Sequence, residues 1–346
     1  MATLLNIGTF LAAFAGVTLG VGATFPPARD LSRGAVKLER FEQDAARWNL
    51  VFLGSSRTFR GFDPALFDTE CGRLGLDTAS FNFGVHGAFG LDIVHYLERL
   101  TAHHAATGEG PTWVLIDPEG VLDASDTENL RTPSVIAWHD LETTRFAVDY
   151  VRSLGLPPPQ ERELVLGHWT AWVLRVFNVA RGAPLARSRL GVHLEDPERF
   201  LGPARDGYLP LDLGGAVARA SNERLRAHPE RLYSLAQDLA RRQQRPPRGR
   251  PEPFALRLYE RVLALCAELG AVPVFVLQPG THYEEDLVKA HARGEVPHLL
   301  RLDRVADHPE FFDLEHRWDY SHLSRAGARR FTRLLAAEFA ELARGL

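Results

Sequence analysis

Three polar turns of this chain hold residue types that can do chemistry together. Ser56 lies in Gly54-Ser55-Ser56-Arg57, directly after the apolar run Leu50-Val51-Phe52-Leu53. Asp319 and His322 stand three residues apart in Asp319-Tyr320-Ser321-His322-Leu323, just ahead of a helical apolar pattern. A hydroxyl, an imidazole and a carboxylate are what acyl transfer at neutral pH needs: a nucleophile, a base for its proton, and an acid that orients the base. Spacing of three within a turn lets Asp319 reach the Nδ1–H of His322, so that Nε2 faces the serine. The third turn, Asn82-Phe83-Gly84-Val85-His86-Gly87, offers glycine N–H groups that can point at a developing oxyanion.

Each of these residues also has a plainer reading. Ser56 could be a turn serine that caps the next helix, and Asp319 with His322 could be a helix cap beside a surface histidine. Four neighbours are candidates for substrate contact. Ser55 could supply a second oxyanion or orienting hydroxyl, or simply shape the turn. Arg57 could hold an anionic substrate group, or pair with Asp63 or Asp117. His86 could reach into the crevice, whereas a structural hydrogen bond is the expectation for Asn82. Trp169 and Trp172 could line an acyl or sugar pocket, but core packing is the simpler account.

The elements that would position these turns alternate. Leu50–Gly54, Ser80–Gly84, Trp113–Ile116 and Val272–Leu277 read as short buried strands, and 91–100, 256–269 and the stretch after Ser324 show helical spacing. Continuous apolar strands alternating with helices argue for a parallel sheet covered on both faces, with the ligand crevice at the carboxyl ends of the strands. Residues 121–250 lose the rhythm. They read as a mostly helical insertion or cap, closed by the exposed linker RRQQRPPRGRPEP over 241–253.

Taken in order, VFLGSSRTFRGFDP, FNFGVHGA and DYSHLSRAGA make the chain resemble the SGNH/GDSL hydrolases. The resemblance covers roughly residues 49–120 and 253–346. It implies a three-layer α/β/α fold with a parallel flavodoxin-like sheet and Ser56, Asp319 and His322 as catalytic residues. The oxyanion hole would take the N–H groups of Ser56 and Gly87, with Gly84 as the rival glycine. No metal or organic cofactor is implied. One block departs: where the family places Gly-x-Asn-Asp after its third strand, this chain has Ile116-Asp117-Pro118-Glu119-Gly120. The missing Asn shifts weight toward membrane-tethered relatives that resemble polysaccharide O-acetyltransferases and D-alanyl transfer proteins, which imply a membrane-bound acyltransferase partner.

From Ala2 to Phe25 there is no charged side chain, long enough for a membrane-spanning helix. An uncleaved anchor is favoured over a cleaved signal peptide, since no basic residue precedes the run, and over a core helix. The expected organisation is therefore an anchor or signal segment over 1–25, a connector over 26–48, and an SGNH-like domain over 49–346. Arg29, Arg33 and Lys37 after the anchor would keep the domain cytoplasmic by the positive-inside rule, but the family resemblance favours an extracytoplasmic one. A net charge of −4 gives no electrostatic footprint for nucleic acid. Of 40 basic residues only Lys37 and Lys289 are lysines, which reads as codon bias. The two cysteines, Cys71 and Cys266, have no zinc-ligand spacing, and a buried free thiol is the expectation for Cys266. There is no P-loop, HExxH or Gly-x-Ser-x-Gly elbow.

The expectation is an esterase or acyltransferase acting through an acyl-Ser56 intermediate on an ester, such as an acetylated envelope polysaccharide. The alternative is a binding module of the same fold in a membrane-associated assembly.

Overall fold

Leu50–Gly54 (β1), Ser80–Gly84 (β2), Trp113–Asp117 (β3), Val272–Leu277 (β4) and Leu299–Arg301 (β5) form one parallel sheet in the order β2-β1-β3-β4-β5. The computed structural model describes residues 2–24, 33–122, 129–177 and 197–346. Four of the strands are the apolar runs read above; β1 and β2 are buried at every position, as strands covered on both faces must be. The edge strand β5, three residues long, has too short a pattern to stand out in the sequence.

Alternation along the strands divides the core in two. Leu50, Phe52, Leu115, Val274 and Val276 pack with Phe62, Phe67, Phe331, Leu335 and Phe339 from helices Pro64–Arg73 and Arg325–Arg344 and the residues beside them. Other strand residues meet helices Gly90–Thr107 and Pro253–Glu268: Phe83 lies 5.0 Å from Tyr96, and Phe275 5.8 Å from Tyr259. Register then matters for chemistry. Gly54 pairs with Gly84 on one side and Asp117 on the other, so the turns that follow β1, β2 and β3 leave the sheet side by side. The chain runs from β1 out to β2 and returns to β3 on the other side of β1, which places the topological switch point at the end of β1.

The chain divides into two compact units. One comprises Lys37–Leu122 with Glu198–Leu346 and carries the sheet; the other comprises Met1–Val36 with Asp123–Pro197. Residues 121–250, read from the sequence as one insertion, are thus shared between the units. Leu225, Leu232, Ala236 and Leu239, from helices Ala216–Ala227 and Pro229–Gln243, belong to the main core beside the sheet. The latter helix carries Arg241 to Gln243, which the sequence had assigned to the linker. Likewise 37–48 is no mere connector: Phe41 and Trp48 are buried and pack on Phe81 at 5.9 and 5.3 Å.

In the other unit, Ala2–Thr24 forms a helix with Leu5, Phe10, Leu11 and Val17 exposed. The expected membrane-spanning helix is not found: among the described residues no helix is long and apolar enough to cross a membrane. Within this helix Thr9 and Thr18 return their hydroxyls to the carbonyls of Leu5 and Phe14. Phe25 and Arg29 lie outside the described residues. Trp169 and Trp172 sit half-buried on helix Pro158–Val176 of this unit, edge to face at 5.8 Å.

Candidate active site

Helix Ser56–Gly61 starts where β1 ends, and Ser55 caps it, its Oγ accepting the Arg57 N–H at 3.2 Å. The Ser55 oxygen thus caps the helix, the plainer of its two readings. This helix passes so close over the sheet that glycine is required beneath it. A Cβ on Gly54 would stand 2.2 Å from Thr58 Oγ1, and one on Gly84 would stand 2.2 Å from the Phe59 nitrogen.

Ser56 Oγ lies 2.8 Å from His322 Nε2, across 266 positions of sequence. His322 Nδ1 is 3.0 Å from both carboxylate oxygens of Asp319. Asp319 Oδ1 also accepts the backbone N–H groups of Ser321 and His322, each at 2.8 Å. Burial pushes the Asp319 carboxyl up, but the His322 hydrogen bond and charge and the two backbone donors outweigh it and hold its pKa below the ordinary value. The loop is braced from outside. Trp318 donates through Nε1 to Ala218 O at 2.7 Å, Asn222 Nδ2 to Trp318 O at 2.7 Å, and Tyr320 Oη to His228 O at 3.0 Å. Ser324 caps the last helix by accepting the Gly327 N–H at 3.1 Å. The arrangement can take a proton from Ser56 and deliver it to a leaving group.

Gly87 has a left-handed φ of 67°, is exposed, and has no atom within 4 Å of where a Cβ would stand. Gly84, its rival, ends β2 and is sealed beneath Phe59. The turn between them is tied to β1 by the Val85 N–H, which donates to Gly54 O at 2.9 Å. His86 lies edge-on to Phe59 at 5.0 Å, with Nε2 3.0 Å from Arg60 Nη2. A guanidinium only donates, so His86 accepts at Nε2 and carries its proton on Nδ1.

Asn82 is fully buried and structural. Its Nδ2 donates to Thr58 O at 2.8 Å and Phe62 O at 2.7 Å, and its Oδ1 accepts the Gly84 N–H at 2.9 Å. A substrate contact from Asn82 is thereby excluded. Arg57 is buried too. Its Nη2 donates to Gln278 O at 3.0 Å and stands 4.0 Å from Asp117 Oδ1, which selects Asp117 among the partners considered. Asp63 instead caps helix Pro64–Arg73 through the Leu66 N–H.

Asp117 lies at the end of β3. Its Oδ2 accepts from Thr58 Oγ1 at 3.2 Å and from Gln278 Nε2, which ties helix Ser56–Gly61 to the end of β4. Gln278 was missed in the sequence; its only signal is being the first polar residue after an apolar strand. Burial raises the Asp117 pKa to about 6 against the pull of Arg57, and burial raises that of Glu284 to about 7. A carboxyl with a raised native pKa binds its proton more tightly in the native than in the unfolded state. Asp117 therefore contributes stability at low pH that is lost as pH rises from about 4 through 6. Urea unfolding of Asp117→Asn and wild type should show the stability difference moving in favour of the variant from pH 4 to 7. A difference that does not vary with pH would contradict this assignment.

Cys71 and Cys266 are free and buried, and burial raises both thiols to about 12. Among the described residues no group of histidine, cysteine and acidic side chains could hold a metal ion. No protein-family model matches the chain, and no curated protein matches it.

Proposed function

We propose that the protein is an SGNH-type serine esterase or O-acyltransferase. The observation that carries this reading is the Ser56–His322–Asp319 relay, with 2.8 Å and 3.0 Å links in the correct order. Three turns far apart in sequence supply the oxyanion glycine, the nucleophile and the base, as the family resemblance implies.

In this reading Ser56 Oγ attacks an ester carbonyl while its proton passes to His322 Nε2. Asp319 holds the imidazole by Nδ1 and stabilises the imidazolium. The N–H groups of Ser56 and Gly87 receive the oxyanion. Collapse expels the alcohol, protonated by His322, and leaves an acyl-Ser56 ester. Water or a sugar hydroxyl then gives its proton to His322 and attacks the acyl carbon, restoring Ser56. The family resemblance, rather than the N-terminal helix, supports an envelope setting. The domain would lie on the extracytoplasmic side, act on an acetylated polysaccharide, and work beside a membrane-bound acyltransferase. The relay itself needs no cofactor.

A second reading, an inactive binding module of the same fold, is favoured by one observation. The stretch Ile116-Asp117-Pro118-Glu119-Gly120 holds no Asn where the family has an oxyanion-donating one. Release of acetate from p-nitrophenyl acetate separates the two. Turnover by wild type that falls to the blank in Ser56→Ala and His322→Ala supports the enzyme. Identical rates for all three proteins, together with no labelling by a fluorophosphonate, leave the binding module.

A further inference from the structure

β2 is an edge strand of the sheet, so one row of its backbone groups has no strand to pair with. Those groups are buried and need partners. The Asn82 N–H donates to Asp206 O at 2.7 Å, and the Gly84 N–H takes Asn82 Oδ1. The two carbonyls are taken by one side chain. Lys37 Nζ, from helix Arg33–Gln43, donates to Asn82 O at 3.0 Å, Gly84 O at 2.7 Å and Gly207 O at 2.7 Å. Lys37 is 1% exposed, and its ammonium lies 3.9 Å over the Phe59 ring, on the helix that begins with Ser56.

We propose that Lys37 is a positioning residue for the oxyanion side of the site. Its ammonium fixes the carboxyl end of β2, and with it the turn Gly84–Gly87, against the Ser56 helix. This inference rests on the esterase or acyltransferase reading above.

The chemistry of the contact supports the assignment. Three carbonyls converge on one nitrogen, which suits a tetrahedral ammonium with three donors and not a planar guanidinium. The chain uses arginine almost everywhere, yet keeps a lysine at this position. Gly207 approaches so closely that a Cβ there would meet Asn82 O at 2.0 Å, so the third carbonyl is also built in. Only the charged form satisfies all three acceptors, since a neutral amine has two N–H groups and turns a lone pair toward the third. Burial first, then Arg60, lowers the Lys37 pKa, and Asp206 partly restores it. Loss of the cation would leave buried carbonyls unpaired and let the end of β2 drift, and a displacement of about 1 Å can cost ~100-fold in rate.

The test uses the full chain with an acetate ester and with phenylboronic acid as a tetrahedral mimic. Lys37→Met and Lys37→Arg should each lower kcat by about 10- to 100-fold with little change in KM. The inhibition constant of the boronic acid should rise in step with the fall in kcat/KM, which general loosening of the fold would not produce. A folded Lys37→Met protein with kcat within about threefold of wild type overturns the proposal. So does full rescue by Lys37→Arg. If the variants do not melt cooperatively, wild type carries the test. Its kcat should fall on an alkaline limb below pH 10.5 while its far-ultraviolet dichroism stays constant; a flat kcat overturns the proposal. Arg60 and Asp206, which face Lys37, and the nearby Tyr208, whose pKa burial raises, keep their charge state there. A wild type that neither turns over ester nor takes fluorophosphonate defeats the functional reading, whereas an active wild type with unaffected variants defeats the Lys37 inference alone.

Discussion

Ser56→Ala should lower ester turnover by about 10⁴- to 10⁶-fold, to a residue set by the oxyanion donors and binding alone. Ser56 Oγ is the hydroxyl that His322 Nε2 touches, at 2.8 Å, and its side chain is partly exposed to a substrate while Ser55 is buried and committed to the Arg57 N–H. Alanine suits the first turn of a helix, so the variant should fold as wild type does. His322→Ala should fall to a similar level, and the double variant little further, because the two groups act as one unit. Burst kinetics with p-nitrophenyl acetate measure this. A Ser56→Ala protein that retains a tenth of wild-type turnover would move the nucleophile elsewhere.

Asp319→Asn should cost about 10⁴-fold in kcat with the fold intact. Two backbone N–H groups converge on Asp319 Oδ1, and an amide in this site must offer its oxygen to them. Its NH₂ then faces His322 Nδ1. The imidazole responds by accepting at Nδ1 and carrying its proton on Nε2, which points a donor at Ser56 and removes the base. Stability should fall as well. The depressed native pKa of Asp319 contributes stability that is present above the unfolded value and lost as pH falls toward the native one. A steady-state assay beside urea unfolding at pH 7 checks both effects. Near-wild-type turnover in a folded Asp319→Asn protein would show that the carboxylate does not orient the base.

Much of this site was legible in the sequence because polar turns after buried strands have few uses. Gly54-Ser55-Ser56 and Asp319 to His322 carry their chemistry in short, fixed spacings, and the parallel sheet follows from strands apolar at every position. The bracing was hidden, since it depends on contacts between distant segments. Nothing local in Asp206 to Leu209 reveals that it runs along the edge of β2, or that Gly207 must lack a Cβ there. Trp318 and Asn222 meet across 96 positions, and Gln278 meets Asp117 across 161. Arg57 looked as available for substrate as for an ion pair because residue type alone does not show burial. The membrane-spanning helix was inferred from the absence of charge over Ala2 to Phe25, and among the described residues no helix is long and apolar enough to cross a membrane. Lys37 passed as one basic residue of a connector, although its rarity in an arginine-rich chain was a visible signal.

The central claim is that Ser56 is a nucleophile activated by His322. Intact-mass and peptide mass spectrometry after treatment with a fluorophosphonate measure it directly. The account predicts a single phosphonyl adduct on the peptide that carries Ser56, absent from Ser56→Ala and much slower to form in His322→Ala. No adduct on the folded wild-type protein, or an adduct that persists in Ser56→Ala, would contradict it.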